Sequence, residues 1–305
     1  MQQARKVVPV AERLGDVEAR IGSIRQLSAV VTAMRGIAAA RSREAQQRLE
    51  GVRAYAQTVG AGIAQALALL PRALSDAGPP RARHHLLIVI GAEQGFAGGF
   101  NIRVLDAVAA VPDAGRCELI LVGQRGAMGA AERGMSAQLQ MAMAAHVDEV
   151  PALADRIVSC LLDHAQMPQG LRVTVVHSVP STVGGVPVVQ RQLLPLDYSR
   201  FPPANLALPP LVTLPPALLL EQLTQEYLFA QLCESLLLSY AAENEARMRA
   251  MVAARDNVER KLGELSGRAR LLRQEAITDE VIELAAGGAA LPPQPPALNP
   301  MASAS

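Results

Sequence analysis

The chain contains two proline-free stretches, one towards each end. In both stretches, residues that a helix can bury recur at alternating intervals of three and four positions. The first lies between Pro9 and Pro71, and the second lies between Pro216 and Pro292. A 3.5-residue repeat sustained this long keeps one seam of a helix facing a partner helix, as in a coiled coil. The spacing predicts two long helices that pair with each other, each roughly 90 Å long for about 60 residues.

The two seams set the predicted boundaries of these helices. We expect residues 1–72 to form the N-terminal long helix and residues 217–291 the C-terminal one, in an antiparallel coiled coil. The seam positions of the first helix are Leu14, Val17, Ile21, Ile24, Ser28, Val31, Arg35, Ala38, Ser42, Ala45, Leu49, Val52, Ala56, Val59, Ile63, Ala66 and Leu70. Those of the second helix are Ala241, Asn244, Met248, Met251, Arg255, Val258, Leu262, Leu265, Ala269, Leu272 and Ala276.

The composition leaves room for one compact domain besides the helices. Of 305 residues, 50% are hydrophobic, which excludes global disorder, and only 3% are aromatic, which suits helix seams lined by Ala and Leu. No apolar run reaches the roughly 18 residues that a membrane span requires, and the N-terminus lacks a secretory pattern. We therefore expect a soluble cytosolic chain. The net charge of +1 argues against a general nucleic-acid binder.

The three cysteines, Cys117, Cys160 and Cys233, are odd in number and far apart. No CxxC motif and no histidine at ligand spacing accompanies them, so neither a disulfide framework nor a zinc site is indicated. We expect buried, reduced thiols.

Positive charge is concentrated on the two predicted helices. Residues 20–43 contain five arginines and no acid, and residues 247–273 contain eight basic residues against Asp256, Glu259 and Glu264. One interpretation is that these side chains form solvated faces that flank the seam. The second interpretation is a basic collar that faces acidic loops of a partner.

Between the helices, short β-rich runs alternate with helical ones, which predicts an inserted Rossmann-like α/β domain over residues 73–200 and an α+β chain overall. A proline-rich connection, residues 201–216, then leads into the second helix, and residues 292–305 form a proline-rich tail. The predicted strands are 85–90, 118–122, 171–176 and 186–194, and the predicted helices of this domain begin near Asn101 and span 151–166.

A glycine-rich loop, GAEQGFAGGFN (residues 91–101), follows the first predicted strand. Its context resembles a phosphate-binding loop, but its spacing matches neither GxGxxG nor GxxxxGK[ST], and it contains no Lys or Arg. The structural alternative is that Gly95, Gly98 and Gly99 permit a sharp turn and close packing, with Asn101 near the helix N-cap.

Further catalytic arrangements are not indicated. The histidines show no metal-ligand spacing, and no GxSxG motif occurs. Glu243 and Glu245 are two residues apart on the second helix and therefore point to different sides. We expect no catalytic residues, no metal and no cofactor.

Several motifs together resemble the gamma subunit of F-type ATP synthases. In the first helix these are IGSI (21–24), TAM (32–34) and AAAR (38–41), and the loop GFAGGFN (95–101) is similar to the family's GLCGGFN. The most specific motifs lie at the end of the chain: ENEARMRAM (243–251), DN (256–257) and RQEAITDE (273–280). They match the family pattern SExxARMxAM, DN and RQxxITxE with its spacing.

This resemblance implies a non-catalytic rotor subunit, the central stalk that couples ion flow through the membrane rotor ring to ATP synthesis or hydrolysis. The implied partners are the alpha and beta subunits of the catalytic hexamer, the epsilon subunit and the ring of c subunits, without nucleic acid. The implied location is peripheral, at the cytoplasmic face of the bacterial plasma membrane. The resemblance implies partner contacts at Met34, Arg35, Arg41, Arg247, Arg273, Gln274 and Thr278.

The sequence also departs from the family pattern. The family's Asp and Cys in the central loop are here Glu93 and Ala97, and the segment from Ser28 to Ala33 is largely Ala and Val where the family is rich in lysine. A divergent, sodium-driven ATPase is possible as well as a proton-driven one, because a rotor sequence does not encode the ion. Two hypotheses compete with a rotor subunit, namely a free-standing coiled-coil scaffold and a nucleotide-binding enzyme built on the α/β domain.

Overall fold

The computed structural model describes residues 13–70, 84–112, 114–165, 170–181, 185–201 and 210–289. These residues form two compact units. The first consists of the described residues up to 30 together with those from 255 onwards, and the second consists of residues 31–254. Helix α1 (Leu14–Ala68) and helix α5 (Pro216–Ala289) each contribute to both units.

The seams of the two long helices are buried as the spacing predicts. Every predicted seam position of α1 is buried or half-buried, and on α5 the only exceptions are Arg255 and Ala276. The prediction of two long helices is confirmed. Residues 1–12, 71–72 and 290–291, which the prediction also assigned to them, lie outside the described residues.

In the first unit, the two helices pack through their apolar seams. Val17 and Ile21 of α1 form a buried cluster with Leu265 and Ala269 of α5. Glu18 and Arg273 form an ion pair of 2.6 Å between the same two helices. Burial of the apolar side chains stabilises this contact by about 25 cal/mol for each Å² removed from water.

The second unit is built on a five-stranded sheet in the order β3-β2-β1-β4-β5. Its strands are β1 (His84–Ile90), β2 (Glu118–Val122), β3 (Leu139–Met141), β4 (Leu171–Ser178) and β5 (Val188–Leu194). The first four are parallel, and β5 is antiparallel to β4. The helices between the strands are α2 (Phe100–Ala109), α3 (Gln124–Glu132) and α4 (Val150–Ala165).

Both faces of the sheet are covered, which explains why β1 is a continuous apolar run. Leu86, Ile88 and Ile90 face one core, which contains α4 and parts of α1 and α5. Leu87 and Val89 face the opposite core, under α2 and α3. Side chains alternate between the two faces because successive residues of a strand point in opposite directions.

The elements of this unit differ from the predicted ones in several places. The short strand β3 and the helix α3 were not predicted. Helix α2 begins at Phe100 and α4 spans Val150–Ala165, within a residue of the predicted positions. Residues 202–209 of the proline-rich connection and residues 292–305 lie outside the described residues.

The close backbone packing predicted for Gly95, Gly98 and Gly99 was wrong in its location. Of these three, only Gly98 has a positive φ, of 57°, and a Cβ added at Gly98 or Gly99 would meet no atom within 4 Å. The close approach instead joins the end of β1 to α3. A Cβ on Gly126 would lie 2.8 Å from the Cα of Gly91, so the two backbones pack directly.

Six glycines of the long helices have the opposite environment. A Cβ added at Gly15, Gly22, Gly36, Gly51, Gly263 or Gly267 would meet no atom within 4 Å. Packing therefore does not require glycine at these positions.

The cysteines are not joined by disulfides. Cys233 is buried as predicted, but Cys117 and Cys160 are only half-buried, which corrects that part of the prediction. In the described part of the chain, no helix is both long and apolar enough to cross a membrane.

Candidate functional site

Helix α5 crosses the carboxyl edge of the parallel strands in the second unit. The Ser239 hydroxyl donates to the carbonyl of Ile90 at the end of β1, at 3.4 Å, and the Tyr240 hydroxyl donates to the carbonyl of Ala145 after β3, at 3.1 Å. In open α/β sheets this edge is where ligands bind, in the crevice beside the ends of the strands. Here the chain's own helix contacts that edge.

A buried ion pair on α5 meets the glycine-rich loop. The Glu243 carboxylate accepts hydrogen bonds from the backbone N–H groups of Glu93, at 3.2 Å, and Gln94, at 3.3 Å. The Arg247 guanidinium pairs with Glu243 and donates to the Gly95 carbonyl at 3.2 Å. Both side chains are 6% exposed, and we call these two residues the Glu243–Arg247 pair. Because each charge is hydrogen-bonded as well as paired, burial does not leave either one uncompensated.

The glycine-rich loop is also bonded to α3 and to the segment after β3, through the carboxylate of its own residue Glu93. One carboxylate oxygen of Glu93 accepts from the backbone N–H of Gln124, at 3.0 Å, and from that of Met143, at 2.8 Å. Gln124 is the first residue of α3, so this negative charge satisfies an otherwise unpaired N–H at a helix N-terminus.

Asn101 lies near the N-cap of α2, as predicted, but its side chain does not cap the helix. The N-cap position of α2 is Gly99, with no side-chain hydrogen bond. Asn101 lies inside the first turn, and its side-chain oxygen accepts from the Ala92 N–H at 2.8 Å. It therefore fixes the loop to its own helix.

Glu245 lies on a different side of α5, as predicted from its spacing to Glu243. Its carboxylate accepts from Gln46 of α1 and from the backbone N–H of Ser181 after β4, both at 3.1 Å. Arg249, one turn further, donates to the Gly185 carbonyl at 2.6 Å. Loops that follow β1, β3 and β4 are thus all bonded to α5.

A second charged group joins three elements of the same unit. Glu234 of α5 accepts from Arg53 of α1 and from Arg191 of β5, each at 2.9 Å. Burial by itself would raise the pKa of Glu234, but the hydrogen bonds and charges of the two arginines outweigh it and hold the pKa below its ordinary 4.5.

This geometry argues against the phosphate-binding interpretation of the loop. Backbone N–H groups at the end of a strand can hold a phosphate only while they are unoccupied. In this chain, carboxylates take the N–H groups of Glu93, Gln94 and Gln124. The arrangement attaches the sheet to α5, and the described residues offer no group of three His, Cys, Asp or Glu side chains that could hold a metal ion.

The comparison with known protein families agrees with the motifs. The family model described as ATP synthase matches residues 13–291. A curated ATP synthase gamma chain from Fuscovulum blasticum is 31% identical over 302 residues, with 91% of this chain and 99% of the relative covered. The gamma chain from Frankia casuarinae is 30% identical, with 92% and 99% covered.

The chain belongs to the family of ATP synthase gamma chains.

Solved structures show the same fold as this gamma-family chain. A chain of the Euglena gracilis mitochondrial ATP synthase superposes with a TM-score of 0.60 at 11% identity, over 93% of this chain and 98% of that one. A chain of the Tetrahymena thermophila central stalk gives a TM-score of 0.56 at 18% identity, over 74% and 99%. These superpositions show that the chain shares its fold with chains of solved ATP synthases.

The predicted partner-contact residues of this gamma-family chain are divided between the two units. Met34, Arg35 and Arg41 are half-buried on α1 in the second unit. Three more are exposed on α5 in the first unit, namely Arg273, Gln274 and Thr278. Thr278 donates to the Gln274 carbonyl at 2.8 Å, within the helix.

Arg247 differs from the rest of the predicted contacts. Its guanidinium is buried against Glu243, Asn244 and the Gly95 carbonyl of the chain itself. This geometry does not fit a partner contact. Sequence reasoning overlooked the internal role, although the spacing of four residues to Glu243 places both side chains on one face of the helix.

Proposed function

We propose that this chain is the rotor of an F-type ATP synthase and has no catalytic site of its own. It would couple ion flow through a membrane ring of c subunits to ATP synthesis or hydrolysis on a hexamer of alpha and beta subunits. Membership of the gamma family supports this proposal, as do Euglena structures that are themselves described as containing a rotor and a c-ring. The transported ion, proton or sodium, would be selected by the ring.

The observation that supports the proposal best is that α5 is continuous. It is one helix of 74 residues, and it holds both the sheet contacts of the Glu243–Arg247 pair and the apolar seam at Leu265 and Ala269. A continuous hydrogen-bonded helix can transmit a turning force along its length. We propose that α1 and α5 pair along their seams as an antiparallel coiled coil.

Contacts between the two helices support the antiparallel direction within the second unit. Gln46 bonds Glu245, Arg53 bonds Glu234, and Tyr55 bonds Glu226. As the residue number increases along α1, the residue number of the bonded partner on α5 decreases. Two helices joined by charged and polar pairs at defined levels are held in one register.

We further propose that the partners are the alpha, beta, epsilon and c subunits and that the chain is peripheral to the bacterial plasma membrane, at its cytoplasmic face. Contacts with the catalytic ring would include Arg273, Gln274 and Thr278, whose side chains are exposed. Met34, Arg35 and Arg41 are proposed contacts on α1. Arg247 is left out of this set because its side chain is buried within the chain.

Direct observation of rotation tests the function. The chain is assembled with alpha and beta subunits, a bead is attached through a cysteine introduced for the exposed Ser136, and ATP is supplied. We expect rotation in one direction during hydrolysis. A bead that stays still while the assembled complex hydrolyses ATP would overturn the rotor function, and failure of the chain to assemble with these subunits would favour a free-standing coiled-coil scaffold.

The contact assignment has a separate test. Replacing Arg273 and Gln274 together by Ala should lower the ATPase rate or weaken assembly, because truncating exposed contact residues costs binding energy. Circular dichroism of the isolated chain should not change, because Ala is well tolerated at exposed helix positions. Unchanged assembly and turnover would show that these two residues do not contact the ring.

A further inference from the structure

A cysteine, a histidine and a threonine meet at the amino edge of the parallel strands, the opposite edge from the Glu243–Arg247 pair. His85 is the second residue of β1, Cys117 directly precedes β2, and Thr174 lies in β4. The Cys117 Sγ lies 3.2 Å from His85 Nδ1, and His85 Nε2 lies 2.9 Å from Thr174 Oγ1. All three residues are half-buried.

Strand register produces this grouping. Leu86 of β1 is opposite Glu118 of β2, so the preceding residues, His85 and Cys117, are neighbours on the same face of the sheet. On the far side of β1, His85 is opposite Arg172, and Thr174 lies two residues further along the same face of β4. The histidine is therefore held between the thiol and the hydroxyl.

The two contacts of His85 fit a tautomer in which the Cys117 thiol is the group that gives up a proton. If Nε2–H donates to the Thr174 hydroxyl, Nδ1 carries a lone pair that accepts from the Cys117 thiol. Transfer of that proton leaves a thiolate beside an imidazolium. A nucleophile next to a base that a third group orients is the arrangement that activates cysteine.

The remaining two cysteines have different surroundings. Burial raises the pKa of Cys233 to about 12, and burial together with Asp163 raises the pKa of Cys160. Both therefore stay protonated at neutral pH, and the thiol is a much weaker nucleophile than the thiolate. They provide internal references in the same molecule.

Among the described residues, three charged ones adjoin the pair in sequence or in strand register. Arg116 and Glu118 flank Cys117 in sequence, and Arg172 is the register partner of His85. Cys117 also packs against the apolar cluster that contains Leu87 and Leu119. A half-buried thiol beside apolar side chains favours small, uncharged reagents over bulky or charged ones.

We propose that Cys117 is a modification site, a thiol that small hydroperoxides oxidise to a sulfenic acid with His85 as the base and Thr174 as a positioning residue. The thiolate sulfur attacks the terminal peroxide oxygen, an S–O bond forms, and the O–O bond breaks. The leaving oxygen takes the proton from the His85 imidazolium. The sulfur is oxidised by two electrons, and the hydroperoxide is reduced to an alcohol, or to water when it is hydrogen peroxide.

The test treats the full-length chain with hydrogen peroxide and dimedone, which traps sulfenic acid, and follows each cysteine-containing peptide by mass spectrometry. We expect trapping at Cys117 to be at least about tenfold faster than at Cys160 or Cys233, in line with the thiolate requirement. His85→Gln should slow the reaction of Cys117 by a similar factor. The matched control is His84→Gln, since His84 precedes His85 on β1 and points to the opposite face.

Two further measurements separate activation from loss of structure. The rate of alkylation of Cys117 by iodoacetamide, followed against pH, should shift to higher pH in His85→Gln, towards the pKa of about 8.5 of an ordinary thiol. Thr174→Val should shift it in the same direction. Cys233 should stay unreactive in every variant, which reports that the fold is intact.

The proposal is overturned if Cys117 of the wild-type chain reacts no faster than Cys160. It is equally overturned if His84→Gln and His85→Gln slow Cys117 alike, or if the pH profile of alkylation is the same in the wild-type chain and in His85→Gln while Cys233 remains unreactive.

Discussion

Glu243 and Arg247 lie one helical turn apart on α5, and each satisfies the buried charge of its partner. The carboxylate also holds two backbone N–H groups of the loop after β1, and the guanidinium holds a backbone carbonyl of the same loop. These two side chains therefore join the loop after β1 to α5, in addition to the contacts that Ser239, Tyr240 and Glu245 make with the loops at the same edge.

Removing one partner of this pair should be strongly destabilising. Arg247→Ala leaves the Glu243 carboxylate buried without its cation, which costs roughly 3–5 kcal/mol. Arg48→Ala is the control, because the Arg48–Asp148 pair is exposed, at 59% and 70%, and such pairs contribute about 0–1 kcal/mol. Urea denaturation followed by circular dichroism measures both. Equal losses in the two variants would contradict the structural role of Arg247.

His177 should make the chain less stable in mild acid. It is buried in β4 with Nδ1 3.1 Å from the Ser178 carbonyl. Burial, helped by the Arg191 charge, lowers the pKa of His177 to about 4, against the raising effects of the Ser178 carbonyl and Glu234. The unfolded chain, in which the pKa is 6.5, binds the proton first, so stability is present above pH 6.5 and is lost as the pH falls towards 4.

The variant His177→Gln should lack this loss. The difference between 6.5 and about 4 corresponds to roughly 3 kcal/mol of unfolding free energy between the two ends of the range. Urea midpoints measured at pH 7.5 and 4.5 should fall further in the wild-type chain than in the variant. If both fall equally, His177 does not cause the acid sensitivity.

At the scale of elements, glycines of the long helix α5 and of the short helix α3 have opposite surroundings. Gly263 of α5 has open space where a Cβ would stand, whereas a Cβ on Gly126 of α3 would lie 2.8 Å from the Gly91 Cα. Glycine in a helix costs up to about 1 kcal/mol relative to Ala, unless packing requires it. Substitution of glycine by Ala should therefore change the unfolding free energy in opposite directions at the two positions.

Gly263→Ala should raise the unfolding free energy by about 0.5–1 kcal/mol, because Ala loses less backbone freedom on folding. Gly126→Ala should lower it, since backbone atoms of β1 and α3 would have to separate. Thermal melts followed by circular dichroism measure both. A destabilised Gly263→Ala variant would mean that this position is packed after all.

Which elements the sequence predicted depends on how local their signals are. The seams repeat every 3.5 residues over dozens of positions, so α1 and α5 were clear. β3 has three residues, none of them buried, so it lacked a pattern. Helix α3 carries two glycines in nine residues and is positioned by the Gly91 backbone, a contact that its own sequence does not reveal.

The site was less predictable than the fold for the same reason. Arg247 lies in a basic stretch and was assigned to a partner, whereas its true neighbours are Glu243 and a loop about 150 residues earlier in the chain. Glu93 was noted only as a departure from the family pattern, although it holds the N–H groups of Gln124 and Met143. Such roles depend on tertiary contacts.

At the scale of the whole molecule, the family match ends at residue 291, and the proline-rich tail lies beyond it. Prolines cannot continue a helix. Deletion from Pro292 should therefore leave assembly and coupled ATPase activity near the wild-type level. The control deletion, from Arg273, also removes the proposed ring contacts and the Arg273–Glu18 pair, and it should impair both.

Reconstituted complexes that contain each truncated chain provide the measurement. A severe defect from the shorter deletion alone would show that the tail binds a partner or regulates the complex.

The Glu243 carboxylate can also be viewed as a ligand that is covalently tethered to its receptor. It occupies backbone donors at the strand edge where related sheets hold freely diffusing anions. A tethered group has a high effective concentration at its own site, so a dissolved anion has to reach a comparable effective level before it displaces the carboxylate. Attachment of the α/β domain to α5 would thus be insensitive to the rise and fall of free nucleotide and phosphate, the compounds whose concentrations the complex itself alters.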